Sequence, residues 1–467
     1  MARAYPVSAG DPLSPSSSRR SRGSVLIIVL WVCLGLVSLT LYFANAMSTE
    51  LRAADNRMQD ISARQAVAAG IRYAQHVLKT YAVDGVMPRE TDYLADAVPV
   101  GDARFWFIGR DNDLDPASSA PREPYFGLID EASKLNLNTA TRAVLLAALP
   151  ANTENTEIID SILAWRTATA ANSSSSADGY YIGMDPPRRN KGALFETVDE
   201  LRLVYGATLD ILIAEDTNRN GVLDANEDDG ALTAPRDDQN GQLLTGLLDR
   251  LTIYTRQANT SAESAGNRID IRTAQSRQAQ TIRTRLTTRG IAEQRINQII
   301  QATPNNATYT SVAQYMIAAQ YTADEWALVR TDFTATDGGT AQGLINICTA
   351  PPAVLAAIPG IGEANAALIF AYRQSNRETA RASFHWISQV LSPAAIAQAG
   401  PFITDQTYQF SADIAAVGAH GRGYCRERGV FDMTTGTPRI VYRQDLSAQG
   451  WALGQTIRRD LRPVKGI

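Results

Sequence analysis

Residues 24–46 read SVLIIVLWVCLGLVSLTLYFANA, and no charged residue falls between Gly23 and Thr49. About 20 apolar residues are enough for one helix to cross the hydrocarbon core of a bilayer. Arg19, Arg20 and Arg22 precede the stretch and Glu50 follows it, which sets the amino terminus in the cytoplasm and the bulk of the chain outside. Ala44-Asn45-Ala46 has the small residues of a secretory cleavage site, and a plain signal anchor is a second alternative. A cleaved signal normally has a shorter apolar region, of about 7–15 residues. Further on, Val67, Ile71, Ala74, Val77 or Leu78 and Tyr81 recur at helical spacing, with no glycine or proline between Ala46 and Ala69. One uninterrupted helix over 24–81 is the expectation.

The chain as a whole has an ordinary globular composition: 467 residues, 45% hydrophobic, 20% charged, with a net charge of −4. That charge leaves no broad basic footprint for nucleic acid. Three cysteines cannot build a disulfide scaffold, and His76, His385 and His420 lie far apart without metal-hydrolase spacing. No catalytic constellation emerges, and an enzyme is not expected.

Residues 103–110 and 125–131 read as two strands joined by the polar loop 111–123, and 407–417, 423–433 and 438–446 as three more. Between them helical patterns dominate and a degenerate repeat occurs. Its openings are Leu135-Asn-Leu-Asn-Thr-Ala140, Ile269-Asp-Ile-Arg-Thr-Ala274 and Ile345-Asn-Ile-Cys-Thr-Ala350. Each threonine is read as the N-cap of the helix that follows. Each copy later has an apolar triplet: Phe195/Val198/Leu201, Tyr309/Val312/Tyr315 and Phe384/Ile387/Val390. In the third copy, 353–358, Pro359-Gly360-Ile361-Gly362 and 364–373 form a helix-hairpin-helix pattern, with Ile361 plugging the core. DNA-binding versions hold a phosphate on hairpin amides with basic support. Here Glu363 follows the hairpin and the nearest firm cation is Arg373, so the pattern is read as a fold element.

Basic residues, a glycine, then an apolar helix resemble the prepilin-peptidase signal of type IV pilins and type II secretion pseudopilins, with cleavage between Gly23 and Ser24. The glutamate most of that superfamily carries at the fifth mature position is Ile28 here. With the phrase Ile129-Asp-Glu-Ala-Ser-Lys-Leu-Asn-Leu-Asn-Thr-Ala140 and helical repeats between strands, the chain resembles the GspK family of minor pseudopilins. The resemblance implies an α+β fold. A pilin-like transmembrane helix and antiparallel sheet would carry a large inserted all-helical domain of helix-hairpin-helix/SAM-like repeats. The corresponding divisions are a leader (1–23), the transmembrane/spine helix (24–81), a first pilin-like part (82–134), the inserted domain (135–400) with an acidic insertion (206–267), and a C-terminal β part (401–467). It further implies a non-enzymatic subunit at the tip of the secretion pseudopilus, helping to start and cap the fibre. Its partners would be GspI and GspJ, then GspH and GspG, with prepilin peptidase as processing enzyme, and no nucleic acid. It would be single-pass in the bacterial inner membrane, with its bulk in the periplasm.

One motif has metal-ligand spacing. Asp216-Thr-Asn218-Arg-Asn220-Gly221-Val222-Leu223-Asp224-Ala-Asn-Glu227 matches the twelve-residue calcium loop of EF-hands. Asp216, Asn218 and Asn220 offer side-chain oxygens and Val222 its carbonyl. Asp224 binds directly or through water, and Glu227 supplies two oxygens, while Leu223 is expected in the core. A hard ion wanting about six to eight oxygens suits this set, and a structural Ca2+ clip is expected. The neighbouring Asp237-Asp238-Gln-Asn240-Gly241 has incomplete spacing for a second ion. Cys33 lies in the span, leaving Cys348 and Cys425 as candidates for a disulfide. Gly418, Gly421 and Gly423 mark a turn or bulge. Two rival functions stand beside this reading. One is a membrane-anchored DNA-binding protein using the helix-hairpin-helix modules; the other is a calcium-dependent adhesin released by cleavage after Ala46.

Overall fold

The computed structural model describes residues 22–113, 123–150, 156–167, 176–261, 266–336 and 339–461. The leader lies outside these residues up to position 21. The chain divides into two compact units, 1–58 and 59–467. Helix α1 runs without a break over Arg22–Tyr81, as the spacing predicts. Its apolar side chains from Val25 to Phe43 stand exposed, Trp31 at 71%. It is the one helix among the described residues long and apolar enough to cross a membrane.

In the second unit, an antiparallel sheet gathers strands from both ends of the sequence. They are β1 (Val98–Val100), β2 (Ala103–Phe107), β3 (Ile129–Asp130), β4 (Gln409–Val417), β5 (Tyr424–Asp432) and β6 (Arg439–Asp445). The order is β1-β2-β4-β5-β6, with β3 also paired to β4. Strand β1 was not legible in the sequence, and the run 103–110 ends as a strand at Phe107, continued only by a bridge between Ile108 and Phe126. Period-two alternation gives the sheet two buried faces. Phe410, Ala412, Ile414 and Ala416, with Phe105 and Phe107, pack against Ala63, Ala66, Val67, Ile71, Ala74, Val77 and Leu78 of α1. Trp106, Ala415 and Val417 face the opposite way and meet Ala452 and Leu453. The turn between β4 and β5 rests on α1. A Cβ at Gly423 (φ +67°) would lie 2.4 Å from the backbone of Gln59, so only glycine fits.

Between β3 and β4 the chain is mostly helical, with a large core of its own. One arrangement recurs three times. Leu135–Asn136 pairs in parallel with Leu251–Thr252, Ile269–Asp270 with Phe333–Thr334, and Ile345–Asn346 with Ile403–Thr404. All three apolar triplets lie in or against this core.

The threonines do not cap the following helices. Helix Arg142–Ala147 is capped by Thr141, helix Gln275–Thr288 has no side-chain cap at Ala274, and helix Pro352–Ala356 begins after Pro351. In each opening an earlier residue sets the turn instead. Asn136, Asp270 and Asn346 accept, through Oδ1, the amide two residues on, at 2.9, 3.1 and 3.0 Å. A short Asx side chain reaches its own local backbone at that spacing and sets the turn.

Helices Pro352–Ala356 and Gly362–Ser375 flank the turn at Gly360 and Ile361, and Ile361 is buried as expected. The disulfide is not formed. Cys348 and Cys425 are both free thiols. Cys348 sits in the helical core, whereas Cys425 belongs to the core between sheet and α1 and contacts the Ser447 hydroxyl at 3.7 Å, so the two serve different cores.

Candidate functional site

The sequence between Gly127 and Leu137 is buried throughout, although it contains Asp130, Glu131 and Lys134. Buried charges persist only when paired and hydrogen-bonded. Asp130 Oδ1 accepts from Ala132 N at 2.7 Å and from the Thr407 hydroxyl, and Oδ2 from Asn346 Nδ2 at 2.8 Å and Thr349 Oγ1 at 2.6 Å. The acid thereby joins β3 to the third repeat opening and to the start of β4. Burial pushes its carboxyl above the usual range despite these four donors. Glu131 pairs with Lys134 Nζ at 2.7 Å and accepts from Thr252 and Ser411. Burial acts to raise Glu131 as well, but the Lys134 charge and its hydrogen bond outweigh it and hold the carboxyl low. This junction is the structural content of the conspicuous 129–140 phrase.

The twelve-residue loop 216–227 closes on itself through side-chain hydrogen bonds. Asp216 Oδ1 accepts from Asn220 N at 3.0 Å and Oδ2 from Gly221 N at 2.9 Å. Asn218 Oδ1 accepts from Asn220 N at 3.0 Å, and Asn220 Oδ1 from Val222 N at 2.7 Å. The side-chain amides of Asn218 and Asn220 both donate to Asp224 Oδ2, at 2.6 and 3.2 Å. Glu227 reaches back across the loop. Its Oε1 accepts from Thr217 N at 2.8 Å, and its Oε2 from Asp224 N at 3.0 Å. Gly221 takes φ +77° at the sharp turn. One detail differs from expectation: the Val222 side chain is buried, and Leu223 is only half-buried.

Burial is the largest influence on both inner acids. It pushes Asp216 up to about 7, with Asp249 and Glu227 adding to the rise and Arg110 opposing it, and it raises Glu227 too. The donors at 216, 218, 220, 224 and 227 and the carbonyl at 222 are all oxygens, the chemistry a hard cation takes, and none is a soft ligand. Among the described residues, no three His, Cys, Asp or Glu side chains converge as a metal cluster by themselves. Half of the oxygens named, at 218, 220 and 222, are amide or carbonyl oxygens. Around 237–241, Asp237 accepts the amides of Asp229, Gly230 and Gln239, and Asp228 accepts that of Gly241 at 3.2 Å, so this stretch folds back on the first loop.

The sequence did not foretell where the loop docks. It lies on the sheet face opposite α1, over a buried ion pair. Arg426 on β5 grips Asp413 on β4 with Nε at 2.8 Å and Nη2 at 2.7 Å, and both are fully buried. Burial acts to raise Asp413, but Arg426 and then Arg428 hold it down at about 2. The same guanidinium donates to the carbonyls of Asn218 at 2.5 Å and Arg219 at 2.8 Å. A charged residue at the centre of an otherwise apolar strand was the signal available, at Asp413 and again at Arg426 and Arg428.

At the hairpin, the structure removes the cation that a nucleic-acid site would need. Arg373 is fully buried, bonded to Asp113 at 2.5 and 2.7 Å and to the carbonyls of Ile347 and Ala350. Glu363 alone among charged side chains of that turn is exposed.

Among the described residues one helix is long and apolar enough to cross a membrane, and its stretch from Ala63 to Leu78 packs against the antiparallel sheet. Residues 127–214 match the family model described as Type II secretion system (T2SS), protein K. The matched residues include the buried 129–140 phrase. The crystal structure of the GspK-GspI-GspJ complex from the type II secretion system of enterotoxigenic Escherichia coli is similar over 82% of this chain and 95% of that one. The identity is 10% and the TM-score 0.34, too low to carry an argument. No curated protein matches the chain.

Proposed function

We propose that this chain is the minor pseudopilin that begins and caps the type II secretion pseudopilus. The match of residues 127–214 to protein K carries the reading. The leader would be removed between Gly23 and Ser24, leaving α1 as the inner-membrane anchor and the second unit in the periplasm. An isolated carboxylate in the membrane costs a few kcal/mol unless partnered. Ile28 in place of an acid therefore suits a subunit that no other subunit precedes. The helical part between β3 and β4, with its three parallel strand pairs, is read as the inserted repeat domain, too bulky to admit a further subunit above it. GspI and GspJ would be the direct partners, with GspH and GspG beneath. The role in this reading is mechanical rather than catalytic or nucleic-acid binding.

Asp216, Asn218, Asn220, the Val222 carbonyl, Asp224 and Glu227 would hold a calcium ion. The ion would supply the positive charge that the buried acids call for and fix the loop as a clip. Immunogold labelling of purified pseudopili tests the main reading: label at one end only is expected, and label scattered along the shaft contradicts it.

A further inference from the structure

We propose that Arg426 and Arg110 are positioning residues for the cation loop, through which its occupancy is coupled to the C-terminal segment that closes the same face of the sheet. The inference rests on the calcium reading above and concerns how the site is built. Arg426 is held in one orientation by its two bonds to Asp413, which leaves Nη1 and Nη2 aimed at the carbonyls of Asn218 and Arg219. Those carbonyls lie at the third and fourth loop positions, between the ligands Asp216 and Asn220. Arg110, just beyond β2, donates to the same Arg219 carbonyl at 2.7 Å. Its aliphatic stem lies so close over Gly221 that a Cβ there would stand 2.9 Å from its Cδ. Arg219 itself adopts φ +55° at this point, a conformation that a side-chain-bearing residue keeps only where its surroundings enforce it.

Two arginines from the sheet therefore hold the loop in its liganding shape. Preorganised ligands lose less conformational freedom on binding, and charge-assisted hydrogen bonds are the strong ones. Coupling between sites is reciprocal, so a cation that fixes the loop must also tighten what the loop touches. Asn218 Nδ2 donates to the Trp451 carbonyl at 3.2 Å, which connects a ligand residue to the segment that closes this face of the sheet. The Trp451 ring packs at a tilt against Tyr424, and its neighbours Ala452 and Leu453 are buried against Trp106 and Val417.

The test is calcium titration of the full chain in detergent by isothermal calorimetry. The variants are D413N/R426M, which removes the buried pair together, and R110Q, which leaves the pair intact. A surface control, R443Q, breaks only the exposed pair with Glu427. Both test variants are expected to raise the calcium Kd at least tenfold while R443Q leaves it unchanged. In the wild type, calcium is expected to slow amide exchange over 446–461. If the double variant does not fold, R110Q alone decides. A Kd within twofold of wild type in a folded test variant overturns the coupling but leaves the calcium loop standing. Absence of any calcium binding by the wild type overturns the loop itself and the coupling with it.

Discussion

Replacing Gly423 by alanine measures how firmly the sheet rests on the spine helix. Two terms act there. The residue sits at φ +67°, and placing an L-side chain in the left-handed region costs roughly 1–2 kcal/mol. The new Cβ would also lie 2.4 Å from the carbonyl carbon and oxygen of Gln59 and 2.7 Å from Asp60 N. Those are backbone atoms inside a helix, so the turn must lift away, and overpacking of this kind costs about 1–3 kcal/mol. The expected loss is about 2–5 kcal/mol. Gly436 isolates the first term, because its φ is +75° and a Cβ there meets nothing within 4 Å. G436A should lose only about 1–2 kcal/mol. Equilibrium urea unfolding of the full chain in detergent, followed by tryptophan fluorescence, gives both values. Equal losses in the two variants would refute the packing of the β4–β5 turn on α1.

Calcium at about 5 mM should stabilise the chain by about 1–2 kcal/mol if the Kd lies near 10⁻⁴–10⁻³ M. Glu227→Ala should abolish that gain, and a melting curve indifferent to calcium contradicts the loop. Asp413 is held at about 2 against an ordinary 3.8. A depressed carboxyl contributes stability in full above its unfolded value and loses it as pH falls through the folded one. About 2 kcal/mol should therefore disappear between about pH 4 and pH 2. Asp413→Asn should flatten this part of the urea-midpoint profile; an unchanged slope contradicts the assignment. Duplex DNA should not bind near physiological salt, because Arg373 is consumed by Asp113. Binding abolished by G360A would favour the DNA-binding alternative instead.

The long helix, the three C-terminal strands and the sharp turn of the 216–227 loop at Gly221 could be read in advance because each rests on local rules: periodicity, alternation and the spacing of turn residues. What escaped reading was non-local. The three-residue strand β1 carries no pattern of its own and exists because Val98 and Val100 lie along β2. The repeat threonines look like helix caps in isolation. The chain instead turns on Asn136, Asp270 and Asn346, because each opening must first pair with a strand that arrives between about 60 and 120 residues later. Arg373 looked like the free cation of a hairpin, and its partner Asp113 is 260 residues away. Asp413 and Arg426 lie within the runs read as strands, and only the sheet reveals that they face each other beneath the loop.

The most direct test of the account is the first residue of the mature protein in cells that carry a working prepilin peptidase. Amino-terminal sequencing of the membrane-extracted chain should return Ser24. A chain that keeps Met1 under those conditions, or one that starts at Met47 and leaves the membrane, would contradict it.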